Sequence, residues 1–458
     1  MAPFGCGISH ARCADSTSYS KLTILRVVSA RRVIVVGGGA AGFFAAITCA
    51  EAAPDTEVLV LERGARFLDK VRISGGGRCN VTHACFEPRE FATRYPRGDK
   101  ALLAPFQQFS ARDTVAWFAA RGVKLKTESD GRMFPITDSS QTIIDCLMNA
   151  ARGAGVKLRS GVEVEKVAAR GGGGFDVTTH SQGQQTTLAC DGLLLATGGC
   201  RAAAAGHLAI ALGHSLEPPV PSLFTFHVAL PWLRGLAGVA VEDADVIAAP
   251  PARSSTESTP SEPDKRTKRA PLRERGPVLL THWGVSGPAV LRLSAWGARA
   301  LHTFNYQFSL QTNWLPALTA EQISHELESR RRAQPAKLIV NTTIAPLPAR
   351  LWEQLVLAAG IARETRWSEL SRGAQHQLIQ QLTRTELPVT GKSLNKDEFV
   401  TCGGVRLGEV NFKTMESRIS PGLYFAGELL DLDGITGGFN FQAAWTTGWI
   451  AGQALARA

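Results

Sequence analysis

The chain has 458 residues, of which 44% are apolar and 20% are charged, a composition typical of a globular protein with two or three domains. Its nine cysteines include no C-x-x-C pair, so we expect neither a disulfide framework nor a zinc site, and predict reduced thiols in an intracellular compartment. No apolar run reaches the roughly 18–20 residues of a membrane helix, which argues against membrane insertion.

The formal charge of +10 is compatible with nucleic acid, a membrane surface or an anionic cofactor as a partner. Residues 1–32 are basic, rich in Ser, Thr and Ala, and contain one acid, Asp15, which is typical of a transit peptide. We predict an organelle, a chloroplast rather than a mitochondrion; an untargeted extension of a cytoplasmic protein is the alternative. Residues 250–276 are predicted to form a solvated loop, and since no aromatic residues interleave its basic run at 265–269, no nucleic-acid partner is expected.

The first structured segment predicts a βαβ unit. Residues 33–36 are β-branched, as in a buried parallel strand, and residues 37–42 form a glycine turn. An apolar helix is expected at 43–53, followed by a second strand at 57–62. The right-handed crossover rule makes these two strands parallel neighbours.

The rest of the chain predicts one cofactor domain interrupted by an insert. Further elements are expected as follows: helices at about 100–122 and 139–153, a β-hairpin at 162–177 with residues 171–174 as its turn, and an apolar strand at 191–199. The next part of the chain contains many short strand-like runs and then a helical portion at about 319–382. Glycine-rich segments return after it. We therefore predict an α/β fold with these parts: an extension at 1–32, a Rossmann-like cofactor domain at 33–201 and 396–458, and an insert at 202–395.

The glycine turn matches the G-x-G-x-x-G pattern of dinucleotide-binding folds. It also has the structural context that this pattern requires, because it follows a strand, opens a helix and precedes Glu62 by 20 positions. Gly37 permits the tight turn, Gly39 lets the backbone approach a pyrophosphate, and Gly42 allows the helix to pack closely. The helix N-terminus donates N–H groups to the phosphates, and Glu62 accepts hydrogen bonds from a ribose. A bound dinucleotide is predicted.

Three further segments favour FAD among the dinucleotides. Residues 70–80 contain three glycines flanked by polar side chains, a donor-rich loop that a simple NAD dehydrogenase does not need. The strand end at 196–198 leaves room for the adenine-side phosphates. Glu428, directly after Gly427, is placed to accept hydrogen bonds from ribityl hydroxyls, and the helix beginning near 438–442 is expected to face the flavin pyrimidine edge.

Three runs of sequence resemble the BaiN-like NAD(P)/FAD-dependent oxidoreductases. They are SGGGRCN at 74–80, THWGVSGPA at 281–289, and GELLD with TGGFN between 427 and 440. The resemblance implies an FAD domain split by an inserted β-barrel and helical subdomain, and some relatives reduce carbon–carbon double bonds of steroid-like enones. The N-terminal extension and the loop at about 250–275 depart from the bacterial pattern, so the substrate is not carried over.

The motifs together predict an FAD-dependent oxidoreductase that passes hydride from NAD(P)H through FAD to an unsaturated small molecule. No second G-x-G-x-x-G follows a strand, so NAD(P)H is expected to dock transiently. Arg78, His282 and Ser286 are candidates for polarising the acceptor or donating a proton, although a structural role is favoured for His282. Cys79 is either a packing residue or a redox-active thiol. FAD binding without turnover, and flavin-dependent action on RNA, remain as alternatives.

The predicted site needs no metal and no obligate protein partner. Its predicted cofactor-binding residues are Gly37, Gly39, Ala40, Ala41, Gly42, Glu62, Arg63, Lys70, Ser74, Gly75, Gly76, Arg78, Asn80, Thr197, Gly198, Gly427, Glu428, Gly438, Phe439, Asn440 and Gln442.

Overall fold

The computed structural model describes, besides Met1, residues 31–199, 203–249, 272–393 and 400–458. Arg31–Ala458 form one unit, which contains every functional residue predicted above. The predicted targeting extension lies outside the described residues, apart from Met1, Arg31 and Arg32, and so does the basic run at 265–269.

The first part of the chain contains both strands and helices. Its strands are β1 (Arg32–Val36), β2 (Glu57–Glu62), β3 (Thr82–His83), β4 (Leu125–Thr127), β5 (Arg132–Pro135), β6 (Lys157–Ser160), β7 (Glu163–Ala169), β8 (Phe175–Ser181), β9 (Gln184–Cys190) and β10 (Gly192–Leu195). Its helices are α1 (Ala40–Ala52), α2 (Asp69–Gly77), α3 (Pro88–Ala92), α4 (Asp99–Gln108), α5 (Ala111–Ala119) and α6 (Ser140–Gly153).

The second part of the chain contains the remaining elements. Its strands are β11 (Leu216–Ser222), β12 (Phe226–Val228), β13 (Ala240–Ala249), β14 (Leu272–Leu280), β15 (Gly284–Ser286), β16 (Phe308–Asn313), β17 (Thr385–Lys392), β18 (Val400–Val405), β19 (Val410–Asn411), β20 (Glu416–Ser417) and β21 (Leu423–Phe425). Its helices are α7 (Ala203–Ala211), α8 (Pro288–Trp296), α9 (Ala298–Thr303), α10 (Ala320–Ala333), α11 (Ala349–Ala358), α12 (Arg372–Arg384) and α13 (Phe439–Arg457). None of the helices in the described residues is both long and apolar enough to span a membrane.

The central sheet has seven strands in the order β19-β20-β21-β10-β1-β2-β6. Strand β1 runs parallel to β2 and β10, and β10 runs parallel to β21 near the C-terminus, with Leu194 opposite Tyr424. The buried residues of β1, β2 and β10 are mainly Val, Ile and Leu, as expected for parallel strands covered on both faces. Distant parts of the chain therefore build one Rossmann-type sheet.

Helices α1 and α13 pack closely because two glycines of α13 lie against the backbone of α1. A Cβ built on Gly448 would lie 2.5 Å from the Ala41 carbonyl oxygen, and one on Gly452 would lie 2.5 Å from that of Ala45. Glycine therefore allows an approach that any side chain would prevent. This contact fixes the C-terminal helix beside the helix that follows the first glycine turn.

The middle of the chain folds as a closed six-stranded barrel in the order β12-β15-β14-β13-β16-β17, and helices α10 to α12 follow in the same region. Its apolar residues form a hydrophobic cluster separate from that of the sheet. The predicted α/β fold with an inserted barrel and helical portion is confirmed. The boundaries predicted at 202 and 396 stay predictions, and β11, inside the predicted insert, pairs with β18 beyond it.

Two local predictions were inaccurate, and a third was incomplete. The helix predicted at 100–122 is two helices, because the Ser110 side chain accepts a hydrogen bond from the Asp113 amide and starts α5 with a capping box. The predicted loop at 250–276 extends too far, since its last five residues belong to β14 and pair with β13. The predicted hairpin is present as β7 and β8, but β9 adds a third strand of mostly exposed polar residues.

Candidate functional site

A cavity of about 600 Å³ lies where β1, β2, β10 and β21 end, a volume within the usual range of ligand sites. The carboxyl ends of parallel strands are where open α/β sheets bind ligands. Most of the predicted cofactor-binding residues line this cavity: Gly37, Gly39, Ala40, Ala41, Glu62, Lys70, Ser74, Gly75, Gly76, Asn80, Thr197, Gly198, Gly427, Glu428, Gly438 and Asn440. The structure thus brings together residues from both ends of the chain.

The glycine turn has the geometry that a diphosphate site needs. Gly37 has φ +111°, and a Cβ there would lie 2.3 Å from the Ala196 carbonyl oxygen. A Cβ on Gly42 would lie 2.0 Å from the Gly37 carbonyl oxygen, whereas one on Gly39 would meet no atom within 4 Å. Gly37 and Gly42 therefore serve tight packing, and Gly39 leaves open space at the cavity wall.

Helix α1 offers its N-terminus to the same cavity. Its N-cap is Gly39, no side chain caps it, and its first turn contains no acid. The first N–H groups of a helix have no partner within the helix, and together with the helix dipole they favour an anion. These observations fit a dinucleotide pyrophosphate.

Glu62 is held at the cavity edge by backbone amides. Its Oε2 accepts a hydrogen bond from the Gly38 N–H at 2.7 Å, and its Oε1 accepts one from the Gly64 N–H at 2.6 Å. Each carboxylate oxygen can accept more than one hydrogen bond, so the group keeps capacity for the two hydroxyls of a ribose.

The segment after Lys70 was predicted to be a loop, but it begins as helix α2 and becomes irregular only at its glycines. Helix α2 loses helical geometry at Ser74, and Gly75 and Gly76 have φ of +58° and +68°. The Asn80 side-chain amide is assigned the orientation that forms two hydrogen bonds. In it the amide nitrogen donates to the Thr82 carbonyl oxygen, and the amide oxygen accepts from the Gly438 N–H. The loop is therefore tied to the start of α13.

Glu428 and Lys70 form an ion pair across the cavity wall, joining the C-terminal segment to α2. Glu428 also accepts a hydrogen bond from the Thr401 N–H at 2.8 Å. The N-cap of helix α13 is Gly438, again without a side-chain cap, and the first turn contains no acid. A second helix N-terminus therefore supplies partial positive charge to the cavity.

Besides Arg78, four predicted cofactor-binding residues do not line the cavity but lie in or beside its supporting structure. Gly42 packs α1 against the turn, and Arg63 is exposed beside Glu163. Phe439 is buried with its ring stacked on His83, and Gln442 is buried between the hydroxyls of Thr82 and Thr446.

Arg78 lies behind the cavity wall. It donates a hydrogen bond to Glu128 at 2.6 Å, and this bond raises the pKa of the guanidinium. Its guanidinium lies 4.0 Å from the ring centroid of Phe134, which does line the cavity. Arg78 thus contacts the cavity through Phe134, a strand residue that our motif analysis missed.

His282 and Ser286 belong to the barrel and do not line the cavity. His282 is exposed in the turn between β14 and β15. The Ser286 hydroxyl lies 3.2 Å from that of Thr225, two residues after the cavity residue Leu223. Catalytic roles for both residues stay predictions.

Sequence reasoning also missed an apolar part of the wall, because these residues are not among the glycine and polar positions that define the motifs. They are Ile73, Leu223, Val400, Leu432 and Ile435, and Arg132 joins them as a further missed residue. Their only sequence signal is proximity to the ends of predicted strands or to glycine-rich segments.

Cys79 is expected to be chemically inert in the folded protein. Its side chain is fully buried, and burial raises the pKa of the thiol to about 12, which suppresses the reactive thiolate. Iodoacetamide at pH about 8 should therefore alkylate Cys79 only after denaturation. Peptide mass spectrometry measures this, and rapid modification of Cys79 in the native protein would contradict it.

A family model described as the HI0933-like protein Rossmann domain matches residues 31–454. The chain belongs to this family. The resemblance predicted from the sequence is confirmed, and the protein is accordingly a flavoprotein oxidoreductase with FAD as its cofactor.

Two curated proteins match the chain over nearly its whole length. The 3-dehydro-bile acid delta(4,6)-reductase of Clostridium scindens is 30% identical, over 93% of this chain and 99% of the relative. The ribosomal RNA dihydrouridine synthase of Escherichia coli is 32% identical, over 92% of this chain and 97% of the relative.

Among solved structures, the 3-ketosteroid-delta4-(5alpha)-dehydrogenase of Rhodococcus jostii resembles the chain with a TM-score of 0.50 and 14% identity. The similarity covers 94% of this chain and 99% of that structure. At this identity the comparison bears on the fold alone.

Proposed function

We propose that this protein reduces a carbon–carbon double bond of a small unsaturated organic molecule, with FAD bound in the cavity and NAD(P)H as the electron donor. The observation that carries the proposal is the cavity wall, where an uncapped helix N-terminus from each end of the chain meets two carboxylates, Glu62 and Glu428. This arrangement suits a dinucleotide with one anionic and two hydroxyl-rich portions.

The names of the two relatives support this type of reaction. One describes a reductase acting at the 4 and 6 double bonds of a 3-dehydro-bile acid, and the other a synthase of dihydrouridine in ribosomal RNA. Both names describe saturation of a carbon–carbon double bond. We propose the same chemistry for this chain.

The residues of the cavity wall would divide the work of binding. The amides that start α1 would hold the pyrophosphate, Glu62 the adenosine ribose, and Glu428 the ribityl chain. When bound, FAD supplies hydride chemistry between the donor and the double bond. The N–H groups that start α13 favour negative charge beside them, and Arg78, His282 and Ser286 remain candidates for polarising the acceptor.

Anaerobic titration of the purified protein with NADH and NADPH tests the proposal. We expect at least one nucleotide to bleach the flavin absorbance, and an enone or quinone from a screen to restore it. A flavin that neither nucleotide bleaches would favour FAD binding without turnover.

A second candidate function is reduction of uridine in RNA. The E. coli relative and the net charge of +10 favour it, although the basic run at 265–269 lies outside the described residues. Adding ribosomal RNA to the reduced protein distinguishes the two functions. Reoxidation by RNA alone, with binding that weakens steeply as salt is raised, would replace the first candidate by the second.

Replacing Glu62 with Ala is expected to weaken FAD binding by about 10- to 100-fold, because hydrogen bonds to a charged group contribute about 1.5–3 kcal/mol. Fluorescence titration of the apoprotein with FAD measures the change. Glu57→Ala is the matched control, since Glu57 begins the same strand and pairs with Arg32 and Lys157 away from the cavity. Equal Kd values for both variants would contradict the role of Glu62.

A further inference from the structure

A buried ion pair joins Arg97 to Asp433. The Asp433 side chain is 0% exposed and that of Arg97 is 15% exposed. The Arg97 Nε donates to Asp433 Oδ1 at 2.5 Å, and a second guanidinium nitrogen contacts Oδ2, so the pair is bidentate. The Ser222 hydroxyl also donates to Oδ2, at 2.6 Å.

The pair connects four distant segments of the chain. Arg97 lies between α3 and α4, Asp433 lies between β21 and α13, and Ser222 ends β11. Arg97 also donates to the carbonyl oxygen of Ala295, in helix α8, at 2.6 Å. The junction therefore ties β11, and helix α8 from between two barrel strands, to the two halves of the sheet domain.

Two neighbours of this junction line the cavity. Leu223 follows Ser222, and Leu432 precedes Asp433. Leu223 has φ +56°, an unfavourable conformation for leucine that persists only where the surroundings impose it. Leu432 packs closely against Gly98, because a Cβ built on Gly98 would lie 2.8 Å from the Cβ of Leu432. Both leucines therefore lie directly beside the junction and in the cavity wall.

We propose that Arg97 and Asp433 are positioning residues. They hold together two parts of the cavity wall, the part that contains Leu223 and the part that contains Leu432, and so limit access of solvent to the bound flavin. In the part of the chain that the structure describes, Arg97 and Asp433 form no hydrogen bond or ion pair with Glu62, Glu428 or the turn at 37–42, so we expect the pair to set this access with little effect on the affinity for FAD. The inference rests on the proposed function, because it takes the flavin as the occupant of the cavity.

The chain offers a matched control in the same loop. Asp431 pairs with Arg299 at 3.2 Å, but the arginine is 37% exposed and the aspartate 15% exposed. This pair is more exposed than the Arg97–Asp433 pair, so solvent screens it more, whereas removing one partner of the buried pair leaves the other charge uncompensated. Asp433→Asn and Asp431→Asn therefore make the same chemical change at neighbouring positions with different expected outcomes.

The test is acrylamide quenching of the fluorescence of bound FAD in the full-length holoprotein, with acrylamide chosen because it is uncharged. For Asp433→Asn we expect the quenching constant to rise by about threefold or more, because the uncompensated Arg97 displaces the cavity wall. We expect the Kd for FAD to change by less than about threefold. For Asp431→Asn we expect neither to change. The rate at which an enone reoxidises the reduced flavin should fall only in Asp433→Asn.

Arg97→Lys provides a second variant if Asp433→Asn does not fold. It keeps the charge but loses the bidentate fork, so it should raise the quenching constant in the same direction by a smaller factor. Wild-type quenching constants in the folded variants would overturn the inference, as would a loss of FAD affinity without a change in quenching. A wild-type protein that binds no FAD would contradict the proposed function itself.

Discussion

Replacing Gly39 with Val is expected to abolish retention of FAD while leaving the fold intact. The backbone at Gly39 is extended, with φ −91° and ψ −170°, a conformation that valine adopts readily. The new side chain would point into open space at the cavity wall, where the backbone must approach the diphosphate. We expect the Kd for FAD to rise by at least about 100-fold, or roughly 2.7 kcal/mol.

Titration of apoprotein with FAD measures this loss, and the thermal midpoint of the apoprotein shows whether the fold survives. Gly373→Val is the control, because a Cβ on Gly373 in α12 also meets no atom within 4 Å but lies away from the cavity. A Gly39→Val protein that binds FAD as tightly as wild type would contradict the assignment of the diphosphate site.

Replacing Gly448 with Val is expected to destabilise the whole sheet domain. Its Cβ would lie 2.5 Å from the Ala41 carbonyl oxygen and 3.2 Å from the Phe44 Cβ, so α13 must move away from α1. Overpacking of this kind costs about 1–3 kcal/mol, and a clash with backbone belongs at the upper end. Because the N-termini of both helices line the cavity, FAD affinity should fall as well.

Denaturant unfolding of the apoprotein gives the change in the free energy of unfolding. Gln453→Val on the same helix is the control, since Gln453 is only half-buried and its side chain accepts a hydrogen bond from Arg457 of the same helix. If the two variants had the same unfolding midpoint, the close approach of α1 and α13 would be wrong.

The parts that could be predicted from the sequence are those encoded locally. The turn at 37–42 follows a β-branched strand and precedes Glu62 at a fixed spacing, so neighbouring residues suffice to place it. The break between α4 and α5 was also readable, because Ser110 and Asp113 form a capping box that our helix prediction overlooked.

The parts that could not be predicted depend on contacts between distant residues. Arg97 and Asp433 are 336 positions apart, and neither belongs to a recognisable motif. Leu223 and Val400 reach the cavity wall at the ends of two strands that pair with each other, and strand pairing is not encoded in either strand alone. His282 and Ser286 were selected from a motif whose residues belong to the barrel. Their predicted position near the flavin rested on that motif and on no physical contact.

The flavin content of the purified full-length protein tests the central claim most directly. After heat release, mass spectrometry should identify FAD at about one molecule per chain, since one glycine turn and one C-terminal helix build a single site. A protein that is colourless on purification, and that still binds no FAD after incubation with an excess, would contradict the account.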